Sequence, residues 1–287
     1  MFIITGANTG LGFETAKELA KMDATVILAC RSIDKANEAR QSIIAYSKCA
    51  SSKVIVLKLD LCGFDSVRKF VKEFKGLSMP LHCLINNAGV MMNERQLTQD
   101  GFEIVFTANH LSHFLLTNLL LGELEKTDGR IVNLSSNLYK GAKRFNFDDV
   151  MSVNYYEMFH TYCQSKLANI LFTVELQKRL NQKGSRVTCN AVHPGIVRTD
   201  VTRHMSAFMQ VGNWLATPVM KTLQKTPGEG AFCSVHVATA PSLQGVGGRF
   251  FVHCDSVPLK ASVRADDAAE LWTCSERLTG LVSDASK

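Results

Sequence analysis

The octapeptide Thr5-Gly6-Ala7-Asn8-Thr9-Gly10-Leu11-Gly12 constrains this chain more than any other stretch. It follows the apolar run Phe2-Ile3-Ile4 and opens a helical pattern with Phe13, Ala16, Leu19 and Ala20 on one face. Strand, glycine turn and helix in that order form a phosphate cradle. The glycines let backbone approach a ligand, and the free N–H groups at the helix start point at an anion. The spacing is Gly-x-x-x-Gly-x-Gly rather than Gly-x-Gly-x-x-Gly. Three glycines in a turn are common, so the weight comes from the matching partners later in the chain.

Beyond the loop, apolar runs and helical stripes alternate. Strands are expected near residues 24–29, 54–59, 81–85, 130–134, 186–192 and 249–252, giving seven with the first. Helices are expected near 34–46, after an N-cap at Asp65, over 101–121, around Leu167, Ile170, Leu171 and Val174, and near 228–240 and 265–278. Such alternation argues for a doubly wound Rossmann-type α/β domain spanning 1–287, a seven-stranded parallel sheet with helices on both faces. Residues 199–227 carry no strand signal and read as an inserted helical lid, with Met205, Phe208, Met209, Val211, Trp214, Leu215 and Met220 able to line an apolar pocket or simply to pack. Ligands of such folds bind beyond the carboxyl ends of the strands. Gly6, Arg31, Asp60, Asn86, Ser136 and Pro194 all fall there.

Composition narrows the function classes. Of 287 residues, 46% are apolar, enough to bury a core, and the net charge of +6 is spread without a long basic block. That excludes a nucleic-acid partner as the default reading. The nine cysteines lack a Cys-x-x-Cys pair, which suits reduced thiols in a cytoplasmic compartment. No run reads as a membrane span or signal peptide, although peripheral or organellar association stays open. A homodimer is also open.

Several side chains carry possible chemistry. Arg31 stands where an NAD site places an acid; its guanidinium suits a 2′-phosphate, with Ser32 adding a hydroxyl, or it is an exposed residue starting a helix. Asp60 either addresses an adenine edge or caps a turn. Tyr162 and Lys166, four apart, share a helix face, and an ammonium there lowers a phenol pKa from about 10 towards use as a general acid or base. Tyr139 and Lys143 repeat the spacing but straddle Gly141 without a helical stripe, so they are the decoy. Ser136 or Ser135 could bond a substrate oxygen, with a turn serine as the alternative. Asn109 inside a helix implies a specific partner, a water held against Lys166 or a structural one. His110, His113 and His193 read as structural.

Together Thr5-Gly6-x-x-x-Gly10-x-Gly12, Asn86-Asn87-Ala88-Gly89, Asn109, Ser136, Tyr162-x-x-x-Lys166 and Pro194-Gly195 resemble the short-chain dehydrogenase/reductase family over essentially the whole chain. Within it, Asn109-His110-Leu111-Ser112-His113-Phe114 and His193-Pro194-Gly195 resemble the retinol-dehydrogenase-like branch. The tail, with Gly247-Gly248 and Leu271-Trp272-x-x-Ser275-Glu276, is similar to the reductase part of WW domain-containing oxidoreductases. The resemblance implies hydride transfer between a nicotinamide and a small hydrophobic carbonyl or alcohol, of retinoid, steroid or lipid-aldehyde type. It implies Tyr162 as acid/base, Lys166 lowering its pKa and binding the nicotinamide ribose, Ser136 orienting the substrate and Asn109 holding a relay water. NADP(H) is the implied cofactor. Its implied contacts are Gly6, Asn8, Thr9, Gly10, Leu11, Gly12, Arg31, Ser32, Asp60, Leu61, Asn87, Ala88, Gly89, Tyr162, Lys166, Pro194, Gly195 and Thr199. Some NADP-specific relatives have a basic residue in the glycine loop where this chain has Asn8, so the NADP reading rests on Arg31. The alternative from another class is an NADP-binding sensor or scaffold without turnover.

Overall fold

Short apolar runs bounded by glycine or polar residues become strands: β1 (Phe2–Thr5), β2 (Val26–Cys30), β3 (Val54–Lys58), β4 (Cys83–Asn86), β5 (Arg130–Leu134), β6 (Thr188–His193), β7 (Phe250–Val252) and β8 (Asp255–Val257). The computed structural model describes residues 1–195 and 226–281. One sheet runs β3-β2-β1-β4-β5-β6-β7-β8. β2, β4 and β6 are buried at every residue, as central strands of a two-faced sheet must be. Alternation divides the core. Ile3, Ile27, Leu84 and Ile131 face one layer with Phe70, Phe114 and Phe172; Ile4, Leu28, Ile85 and Val132 face the other with Leu19 and Ile43.

The helices are α1 (Gly10–Lys21), α2 (Ile33–Ser47), α3 (Phe64–Gly76), α4 (Ile104–Phe106), α5 (Ser112–Glu125), α6 (Met158–Gln182), α7 (Pro227–Thr239) and α8 (Ala265–Thr279). Pro227 and its Thr226–Glu229 capping box open α7, so the last two residues of the expected 199–227 lid belong to this helix start. The rest of that lid, Thr199 included, lies outside the described residues.

Four expectations need correction. The sheet has eight strands, not seven, because β8 pairs antiparallel with β7. The turn between them is His253-Cys254, both at positive φ (54° and 72°), the geometry of a tight hairpin turn. That turn carries neither Gly nor Asn, so nothing in its composition announces it. The N-cap of α3 is Gly63; Asp65 sits inside the first turn, where a carboxylate still favours the helix dipole. In α6 Val174 is only half-buried, and Glu175 is buried instead. Finally, Ile104–Glu125 is long and apolar enough to cross a membrane by length and composition alone, contrary to the sequence reading. Its apolar window is 78% buried inside the protein, which is the setting of a core helix. This expected 101–121 helix is also not uniform: Thr107–Leu111 between α4 and α5 is a π turn, with Asn109 at its centre.

Candidate active site

The sheet reverses its winding between β1 and β4, so the crevice at their carboxyl ends is the binding position. Gly6 (φ +64°) and Gly10 (φ +56°) turn the chain there. Gly12 opens the packing of α1 on the loop: a Cβ there would lie 2.5 Å from both Gly6 O and Asn87 Nδ2. Thr5 Oγ1 accepts from the backbone N–H of Asn87 and of Ala88, each at 2.9 Å, and Asn87 Nδ2 donates to Thr5 O at 2.7 Å. The first turn of α1 holds no acidic side chain, and Asn87 Oδ1 is buried beside the loop with no hydrogen-bond partner. These residues fit a phosphate-bearing dinucleotide.

At the end of β2, Arg31 is exposed. Ser32 caps α2, its hydroxyl accepting from Lys35 N at 3.4 Å. Asp60 past β3 does what the turn alternative asked: Oδ1 accepts from Cys62 N at 3.0 Å, while Asp60 N donates to Ser66 Oγ. Leu61 is buried and its carbonyl accepts from Ser112 Oγ at 2.6 Å.

Helix α6 presents Tyr162 and Lys166 to the same crevice, both buried. Lys166 Nζ lies 5.4 Å from the Tyr162 ring centre and donates to Leu134 O at 3.1 Å. Gly89 meets the pair from the β4 side: a Cβ on it would sit 3.3 Å from Lys166 Nζ and 3.5 Å from Asn109 Oδ1. Asn109 fastens this corner. Oδ1 accepts from Val90 N (2.7 Å), and Nδ2 donates to Val90 O and to Ser165 Oγ (both 3.0 Å). Ser165 Oγ in turn donates to Tyr162 O at 2.8 Å.

The two serine candidates separate cleanly. Ser135 Oγ donates its only proton to Lys166 O at 2.8 Å. Ser136 Oγ accepts from Leu138 N at 3.2 Å, which leaves its proton for another acceptor. The decoy pair also separates: Tyr139 is buried edge-on to Phe250 with its hydroxyl accepting from Lys260 N, and Lys143 is exposed. None of the nine cysteines is in a disulfide, and Cys30, Cys83 and Cys189 are buried.

Electrostatics depart from the sequence reading at one point. Burial pushes the Tyr162 phenol up, with the neighbouring Cys163 thiol adding to it, rather than Lys166 pulling it down. Desolvation of a phenolate outweighs an ammonium that is aimed at Leu134 O. The same burial lowers Lys166 to about 8. His110 and His113 are held neutral by burial, at about 3 and about 4. His110 Nε2 meets Ser275 Oγ at 2.9 Å, and His193 Nδ1 accepts from Asn137 N at 3.4 Å.

The short chain dehydrogenase family profile matches residues 1–210, which hold the glycine cradle at the sheet reversal and the Tyr162–Lys166 pair beside it. The chain belongs to the short-chain dehydrogenase family. It is an oxidoreductase of the kind that works with a nicotinamide cofactor. Retinol dehydrogenase 12 of Bos taurus is 46% identical over 282 residues, covering 97% of this chain and 86% of that protein. Polyprenol dehydrogenase of Homo sapiens is 40% identical, covering 98% and 85%. A crystal structure of an uncharacterised protein from Mycobacterium paratuberculosis superposes with a TM-score of 0.75 at 36% identity, covering 97% of this chain and 92% of that one.

In this dehydrogenase, sequence reasoning missed Ser165 and Thr5 Oγ1 as the fasteners of the site. Ser165 lies inside the Tyr162–Lys166 motif, three positions after the tyrosine, so a helix-face count from Tyr162 would have found it.

Proposed function

We propose that this chain is an NADP(H)-dependent oxidoreductase acting on an apolar alcohol or carbonyl. The observation that carries the reading is the convergence at Gly89, where the loop after β4 runs between Lys166 Nζ and Asn109 Oδ1 beside the Tyr162 ring. Gly6, Asn8, Thr9, Gly10, Leu11 and Gly12 would hold the pyrophosphate, and Arg31 with Ser32 the 2′-phosphate. Asp60 and Leu61 would flank the adenine; Asn87, Ala88, Gly89, Pro194 and Gly195, with Thr199, would flank the nicotinamide half. When bound, the nicotinamide exchanges a hydride with the substrate carbon.

The chain's own residues handle the oxygen. Ser136 donates its uncommitted hydroxyl proton to the substrate oxygen and orients it. Tyr162 gives that oxygen a proton in reduction, or takes one in oxidation. Lys166 stays mostly charged at neutral pH with a pKa of about 8, so it can stabilise a phenolate and return a proton. Asn109 keeps one Oδ1 lone pair beyond its bond to Val90 N, a place for a relay water next to Lys166. A sensor without turnover has no use for a buried ammonium that costs stability.

Met91 and Met158 pack on Tyr162. That apolar surround supports a hydrophobic substrate, in keeping with relatives named for retinol and polyprenol, both long isoprenoid alcohols.

Initial rates with NADPH and NADH on a panel of apolar aldehydes, for wild type and Arg31→Asp, test the cofactor reading. Two charge-assisted hydrogen bonds are worth about tenfold or more, so wild type should favour NADPH by at least that and the variant should lose the preference. Equal preference in the two proteins removes Arg31 from the account.

A further inference from the structure

His113 is buried between the nucleotide crevice and the π turn, and its hydrogen bonds fix its tautomer. Thr5 Oγ1 has two lone pairs and one proton. Both lone pairs are taken by Asn87 N–H and Ala88 N–H, at 2.9 Å each. The hydroxyl proton therefore goes to the remaining neighbour, His113 Nε2, also at 2.9 Å. An Nε2 that accepts carries no proton, so the ring proton is on Nδ1, which donates to Asn109 O at 3.1 Å. One continuous chain of bonds then runs from Asn87 and Ala88 through Thr5, His113, Asn109 and Ser165 to the Tyr162 carbonyl. The imidazole bridges the β1 end to the π turn by accepting at one end and donating at the other.

We propose that His113 is a positioning residue that couples the cofactor-side strand ends, through Thr5, to the placement of Asn109 beside Lys166 and Tyr162. The proposal rests on the dehydrogenase reading above for its effect on turnover, but not for its hydrogen-bond chemistry. Burial holds His113 neutral, with the Lys166 charge adding to it against the bond to Asn109 O, and His113 in turn helps to hold His110 neutral.

Two half-mimics divide the bridge. His113→Asn keeps a donor near Asn109 O and loses Thr5; His113→Gln keeps an acceptor for Thr5 and loses Asn109 O. Losing one buried hydrogen bond is worth about tenfold. The Asn variant should raise the NADPH Kd by about that factor with kcat little changed. The Gln variant should hold Kd and lower kcat by a similar factor, with a shifted pH profile. Nitrogen-15 histidine spectra of the wild type read the tautomer directly: His113 should stay neutral with the proton on Nδ1 from about pH 5 to pH 8, and its shifts should move in Thr5→Val. A proton on Nε2, or Asn and Gln variants that change Kd and kcat alike, would overturn the coupling. If the wild type turned over no carbonyl, the dehydrogenase reading would fall on its own, and the tautomer and Kd would still decide the coupling.

Discussion

Replacing Lys166 by Met should make the protein more stable and inactive. The ammonium is buried and its pKa is about 8 against an ordinary 10.5, with desolvation as the cause. At ~1.36 kcal/mol per pKa unit, that gap is a penalty of about 3 kcal/mol on the folded state. The side chain offsets part of it through its bond to Leu134 O, worth about 1 kcal/mol. Removing that bond strands nothing, since Leu134 O also accepts from Asn169 Nδ2 at 3.1 Å. Met matches the volume of the stem, so no cavity is opened. The net expectation at pH 7 is a gain of about 2 kcal/mol, a rise in Tm of about 4 °C. The pH dependence carries the sign. A lysine with a lowered folded pKa bears its full penalty below about pH 8 and sheds it as pH rises towards 10.5. The advantage of Lys166→Met should therefore shrink over that window and vanish above it. Urea unfolding of both proteins at several pH values measures this, with NADPH turnover followed alongside. Destabilisation at pH 7, or a gain that ignores pH, would refute the reasoning.

Other substitutions separate packing from chemistry. Gly12→Ala puts a methyl 2.5 Å from Gly6 O and Asn87 Nδ2, and should cost about 2 kcal/mol or more together with NADPH binding, read by calorimetry. Ser136→Ala should leave Tm nearly unchanged and lower kcat by about a hundredfold, whereas Ser135→Ala should cost about 1 kcal/mol by removing its buried hydrogen bond to Lys166 O. Gly247→Ala drives a Cβ to 2.0 Å from Gln177 Oε1, which accepts from Cys189 N; it should lower the thermal midpoint by several degrees without altering the cofactor Kd.

Much of this architecture is legible in the sequence because it is written in local patterns. The glycine loop, the apolar strands and the Tyr162–Lys166 spacing each report on a few consecutive residues, and the fold repeats that grammar. What escaped depends on contacts far apart in the chain. Asn109 reads as an odd residue in a helix; only the fold shows that it ties Val90 to Ser165 inside a π turn. The pKa of Tyr162 follows from burial beneath Met91 and Met158, which spacing cannot report. β8 depends on a hairpin turn built from His253 and Cys254, residues that carry no turn signature. Ser32 and Asp60 satisfy local caps in the structure, a role that their positions at strand ends share with ligand binding.

The most direct measurement is NADPH consumption by wild type and Tyr162→Phe on the same panel of apolar aldehydes, with the cofactor Kd of both titrated. The account predicts turnover by the wild type and a loss of about two or more orders of magnitude in a variant that still binds NADPH. Equal, background-level rates in two proteins that both bind NADPH would contradict it.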